Sequence, residues 1–238
     1  MIPGITSILA GLVAVSETFS VEFITSTEDE NNQTTYTFTD VDFGASSPTR
    51  EIFLAVNWAA GSSKRTLTAA STIGGVPVTI HAQAGVADGA TNQSVSAGTI
   101  SALVPSGASG DVVIVLSGGA KLCAFGAYRV IKRTNIIDTA TDTYSGPNPI
   151  TSVVSIDSGA VGAIIAATTI SATGGSLVWN TVTQDYSGTE TGSGLDEVTR
   201  YAGGSVTDLA ADTGRVVSSQ VTTSTSPNGS ALAAVSIN

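Results

Sequence analysis

Apolar residues in this chain recur with a period of two, in short runs bounded by Gly, Pro, Asn, Asp and Ser, and that pattern restricts it to sheet. In Thr35-Tyr36-Thr37-Phe38-Thr39 the aromatics alternate with threonines, as on a half-buried strand. Val41 and Phe43 fall on the other phase, which predicts a bulge or strand end near Asp40. Glu51–Ala60 is apolar on both phases and reads as a central strand covered on both faces. Thr72–Ile80 reads as a hairpin with Gly74-Gly75 at its turn. There Val76, Val78 and Ile80 share a face, and Pro77 marks an edge strand. Further strands are predicted at Asp111–Leu116, Leu122–Ile131, Val161–Thr169 and Ala231–Ile237. An all-β fold follows: an antiparallel β-sandwich, jelly-roll-like, spanning residues 34–238.

The only helical repeat lies at the N-terminus, where Ile5, Ile8, Leu9, Leu12 and Val13 fall on one helical face within the apolar stretch 2–15. This stretch is too short to span a bilayer and lacks the basic start of a signal peptide. It is expected to be a short arm or helix that docks on this chain or a neighbour. The polar run Thr25–Thr34, with Glu28-Asp29-Glu30, is expected to be a linker, so residues 1–33 form the arm with its acidic linker.

Chemistry is scarce. The 238 residues include one His and one Cys, and only 12% are charged. The net charge of −10 and scattered basic residues, adjacent only at Lys64-Arg65 and Lys132-Arg133, argue against nucleic acid as a partner. Cys123 sits in an apolar run, cannot form an intramolecular disulfide and reads as a buried hydrophobe. Any mechanism built on a histidine base must use His81, which falls off the apolar face and is expected to be at least partly exposed. Gly192-Ser193-Gly194 and Gly203-Gly204-Ser205 only echo a nucleophile elbow, and Gly118-Gly119-Ala120-Lys121 lacks the spacing of a phosphate loop. Zinc is excluded for want of ligands. Calcium would have to use pairs such as Asp40/Asp42, Asp196-Glu197 or Asp208/Asp212, each of which reads as solvated carboxylates. Sequons at Asn32, Asn92 and Asn228 are what a Ser/Thr-rich chain produces by chance. One internal echo, Thr141–Gly146 with Thr183–Gly188, also reads as coincidence. No catalytic, cofactor-binding or metal-binding residue is assigned, and the chain is not expected to be an enzyme.

The succession of strands carries a resemblance. Thr35-Tyr36-Thr37-Phe38-Thr39 precedes Phe43-Gly44, Arg50-Glu51-Ile52-Phe53-Leu54-Ala55-Val56 and Ser71-Thr72-Ile73-Gly74-Gly75-Val76. Then come Ser109–Ser117, Gly126-Ala127-Tyr128-Arg129-Val130-Ile131, Asp138–Asp142, Gly159–Ala167, Leu177-Val178-Trp179-Asn180 and Ser230–Ser236. Over residues 34–238 this resembles β-rich structural (virion) proteins of tailed bacteriophages and prophages. The resemblance implies a virion component, assembled in the host cytoplasm, such as a capsid decoration or head-fibre protein docked by its N-terminal arm. Its expected partners are other virion proteins of capsid or tail and further copies of itself as a homo-oligomer, with no membrane. The alternative is a tail fibre or accessory protein, or a carbohydrate-binding module that contacts host surface glycans through Tyr144, Trp179, Tyr186 and Tyr201.

Overall fold

The computed structural model describes residues 17–238 apart from Ser62, 89–92, 147–148, Thr173, 192–194, 196–197 and 223–227. The helical stripe at 5–13 lies outside the described residues. Among those described, every regular element is a β-strand.

The first half comprises β1 (Ser20–Asp29), β2 (Gln33–Asp42), β3 (Arg50–Ala60), β4 (Thr72–Ile73), β5 (Val76–Pro77), β6 (Thr79–Asp88), β7 (Gln93–Leu103), β8 (Ser109–Ala120) and β9 (Leu122–Ile131). It folds into a five-stranded sheet, β1-β9-β3-β7-β6, and a four-stranded sheet, β2-β8-β4-β5. The second half comprises β10 (Ile136–Gly146), β11 (Ile150–Ser158), β12 (Gly162–Ser171), β13 (Leu177–Asn180), β14 (Thr183–Glu190), β15 (Thr199–Leu209), β16 (Asp212–Val221) and β17 (Asn228–Ile237). Its sheets run β10-β17-β12-β15-β14 and β11-β16-β13. Substituting β10, β17, β12, β15 and β14 for β1, β9, β3, β7 and β6 converts one large sheet into the other, and β11, β16 and β13 replace β2, β8 and β4 in the same way. The chain follows one antiparallel jelly-roll path twice. Among the described residues, β5 has no counterpart in the second half.

The two rolls stack through their five-stranded sheets, which makes four layers. Alternation of side chains along each inner strand sends one set to each neighbour. From β3, Ile52, Leu54, Val56 and Trp58 enter the core of the first roll, while Phe53, Ala55 and Ala59 enter the core between the rolls. That central core takes Ala163, Ile165, Ala167, Ala231, Ala233 and Val235 from the second roll. Many of these are alanines, which lets the two inner sheets approach closely. A third core lies between the sheets of the second roll, built on Val154, Ile156, Ile164, Val217 and Leu232. All of β3 is buried, as its two-phase apolar sequence predicts.

Two local expectations hold. Gly74 and Gly75 have φ of 57° and 76° and close a two-residue hairpin pairing Ile73 with Val76. The register of β2 on β8 shifts between Phe38 and Val41, with Asp40 at φ 53°. The strand expected over 76–80 divides, however. Val78 donates its N–H to Ser71 O and the chain passes from the outer sheet into β6 of the inner one.

Two readings are corrected. Thr25–Asp29 belong to β1, which pairs with β9 along its length, so the run 25–34 is strand, turn and the start of β2 rather than a linker. Its polar residues are those of an edge strand and a tight turn: Asp29 accepts from Asn31 N at 2.8 Å, Asn31 Nδ2 at 2.7 Å and Gln33 Nε2 at 3.0 Å. The boundary at residue 33 therefore cuts through a roll. The sheet region, which the sequence leaves open as one lobe or two, is two rolls joined between β9 and β10. The echo of 141–146 with 183–188 falls on β10 and β14, opposite edges of one sheet, so it is unrelated to the duplication, in keeping with its reading as coincidence.

Candidate functional site

His81 is the unpaired residue of a bulge in β6, between Ile80 and Ala82. The bulge turns its half-buried ring onto Phe53, stacked at 5.2 Å, and brings Nε2 to 2.7 Å from Ser101 Oγ. Ser101 donates its hydroxyl proton to Glu51 at 2.6 Å, and Glu51 is paired with Arg133 at 2.6 Å. With that proton committed, His81 must be the donor to Ser101. A nucleophile needs the reverse arrangement, a base accepting the serine proton. Ser101 is also buried. Burial holds the imidazole below its usual pKa, against the pull of Glu51.

The second roll repeats this arrangement. Asp185 is the bulged residue of β14, and Ser205 Oγ donates to it at 2.7 Å. Thr79 pairs with Ser101 and Thr183 with Ser205, so the two bulges occupy equivalent places. Two different titratable residues doing the same geometric job mark these contacts as bulge locks. Burial raises the Asp185 carboxyl, opposed by the hydrogen bond from Ser205.

The other candidates disperse. Cys123 is fully buried, and burial drives its thiol far above the usual range. Asp40 and Asp42 are exposed on a strand broken by the bulge, and Asp42 caps Gly44 N at 2.7 Å. Asp212 pairs with Arg215 at 3.3 Å, and Asp208 sits at φ 57° near the end of β15. Asp196 and Glu197 lie outside the described residues. Among the described residues no three His, Cys, Asp or Glu side chains group as metal ligands. Tyr186 and Tyr201 are buried, and Tyr144 and Trp179 pack half-buried against the second roll's cores. Tyr186 and Tyr201 therefore offer no free ring face for sugar stacking.

What remains is one end of the molecule. There β3, β10 and β12 begin, and β7, β9 and β17 end, so the turn before β3, the inter-roll link 132–135 and the turn 159–162 gather with the point where the described chain starts. Glu17 is fastened at that point. Its carboxylate accepts from Ser47 Oγ at 2.5 Å and Thr49 Oγ1 at 2.6 Å, and its carbonyl accepts from Lys132 Nζ at 2.9 Å. Ser47 and Thr49 hold that carboxyl below its ordinary pKa. Beside it opens a groove of about 320 Å³ lined by Glu17, Phe19, Lys132, Ala160, Val161 and Asn238, with Thr18 and Thr134. Three exposed large apolar side chains, Leu103, Ile137 and Val161, stand at this end. Sequence reasoning missed this surface because its pieces come from six separate segments. No protein-family model matches the chain, and neither a curated protein nor a solved structure resembles it.

Proposed function

We propose that this chain is a non-enzymatic structural component of a tailed-phage or prophage particle, a capsid decoration or head-fibre protein. It attaches through the end where Glu17 is fastened and projects its two rolls away from the particle. The observation that carries this reading is the concentration of Leu103, Ile137 and Val161 around the root of an apolar N-terminal segment. Two further facts support it. The rolls are rigidly joined by a continuous buried core, and the one histidine is committed to a bulge lock. Its partners on this reading are capsid or tail proteins and further copies of itself, and its location is the virion.

The test is to purify particles on a density gradient from a host carrying the gene and to identify their proteins by mass spectrometry. The chain is expected to co-purify in fixed stoichiometry. Full-length Leu103→Asp protein, folded by circular dichroism, is expected to be lost from the particles. Particles that lack the parent chain would overturn the proposal.

A further inference from the structure

Val161 combines two unfavourable properties. It is a β-branched residue at φ 54°, and its side chain is 63% exposed. The turn is closed by Gly162 N donating to Gly159 O at 3.1 Å, and the position Val161 occupies in such turns normally takes Gly or Asn. Left-handed backbone is costly for an L-residue and most anomalous for a β-branched one. A strained backbone carrying an exposed apolar side chain gains nothing for the fold as described, and such outliers concentrate at functional positions.

We propose that Val161 is the seat of the chain's own N-terminal segment, and that the apolar stripe Ile5, Ile8, Leu9, Leu12 and Val13 packs into the groove between Phe19 and Val161. Three observations choose this occupant. The groove is lined by Glu17, Thr18 and Phe19 themselves, so the segment is covalently rooted at its lip. The three polar contacts to Glu17 fix where the segment starts. With so short a tether the local concentration of the stripe is on the order of millimolar, which a second copy in dilute solution does not match. At about 320 Å³ the groove lies at the small end of ligand-sized clefts. It takes a few aliphatic side chains, not a whole helix, which fits a one-faced stripe. Ile137, whose Cδ1 lies beside Gly159, extends the apolar floor.

The background for a thiol test is clean, because the chain's one cysteine, Cys123, is buried. Full-length Leu9→Cys/Val161→Cys, and the same pair with Leu12→Cys, is oxidised and run on non-reducing gels. At least one pair is expected to close within the monomer at a rate independent of protein concentration. Closure only between copies, or free thiols throughout that both react with maleimide, would overturn the proposal. Full-length Val161→Gly is the second arm. Relief of the strained φ is expected to leave the melting temperature at or above the parent's, while hydrogen exchange in residues 5–13 speeds up at least tenfold. Unchanged exchange would again overturn it. Both measurements use the isolated protein, so their failure and failure of the virion assignment are read separately.

Discussion

Tyr186 lies flat across Gly203 of its own sheet and Gly126 of the facing sheet, with its hydroxyl donating to Ala55 O at 2.5 Å and lying 2.6 Å from Asn57 Oδ1. Phe23 stacks on it at 6.2 Å. A Cβ on Gly203 would come within 2.1 Å of the ring, and one on Gly126 within 2.3 Å. Pinned at its hydroxyl and buried, the ring cannot give way. Gly203→Ala is therefore expected to cost about 1–3 kcal/mol. At roughly 2–4 °C per kcal/mol for a chain of this size, that is a clear drop in melting temperature; an unchanged melting curve would show that the ring is free to shift. Asn57 completes the tie, donating to Thr168 O at 2.7 Å and Thr169 Oγ1 at 3.0 Å, while Thr169 donates back to Ser96 O at 2.7 Å. Arg50 plays a comparable part within the first roll. It is fully buried, forms no ion pair among the described residues, and its guanidinium donates to the carbonyls of Val104, Gly44, Ser106 and Gly107 at 2.6–2.9 Å.

Strands and turns show how exposed edges and seams are managed. β11 is an edge strand, and its Val153 and Asp157 N–H groups are taken by Asp142 and Asp138 of β10 at 2.8 and 2.9 Å. Side-chain carboxylates in place of a neighbouring strand block edge-to-edge pairing. At the other side of the molecule the β1–β2 turn meets the end of β14. There a hydrogen bond that protonated Glu30 donates to the Glu190 side chain, then burial and the charges of Glu190, Glu28 and Asp29, push the Glu30 carboxyl up to about 7 from 4.5. A carboxyl raised in the folded state favours folding in its protonated form. That contribution is full below about pH 4.5 and is lost as pH rises through about 7. Urea midpoints are therefore expected to fall between pH 5 and pH 8, and Glu30→Gln is expected to flatten that slope. An identical slope in the variant would mean that the two carboxyls do not share a proton across the seam.

At the scale of the molecule, the central core joins two copies of one topology into a single folding unit. β1 belongs to that unit: it supplies Phe23 to the seam, edge-to-face with Tyr128 at 5.5 Å and stacked on Tyr186. A chain beginning at residue 17 is expected to unfold in one transition close to that of the full chain. A chain beginning at residue 34 strips an inner sheet of its edge strand and is expected to lose near-ultraviolet circular dichroism and a cooperative melt. Comparable melts for the two truncations would remove β1 from the folding unit.

The all-β class, the Gly74-Gly75 hairpin, the bulge at Asp40, the doubly buried β3 and the inert Cys123 were legible because each depends on period-two alternation or turn chemistry within a few residues. The duplication was not. Thr79-Ile80-His81 and Thr183-Gln184-Asp185 fill equivalent bulges with almost no shared identity, since a β-roll asks only for the right phase and volume at each place. The strand at 20–29 was hidden by its polar residues, because an edge strand over a seam needs apolar side chains at few positions. The candidate surface was equally silent. It joins Glu17, Ser47, Lys132, Val161 and Asn238, which only the return of every strand to one end brings together. Local alternation determined what this chain is made of. Long-range pairing decided that its strands form two rolls, and which of its few polar and apolar exceptions meet at one end.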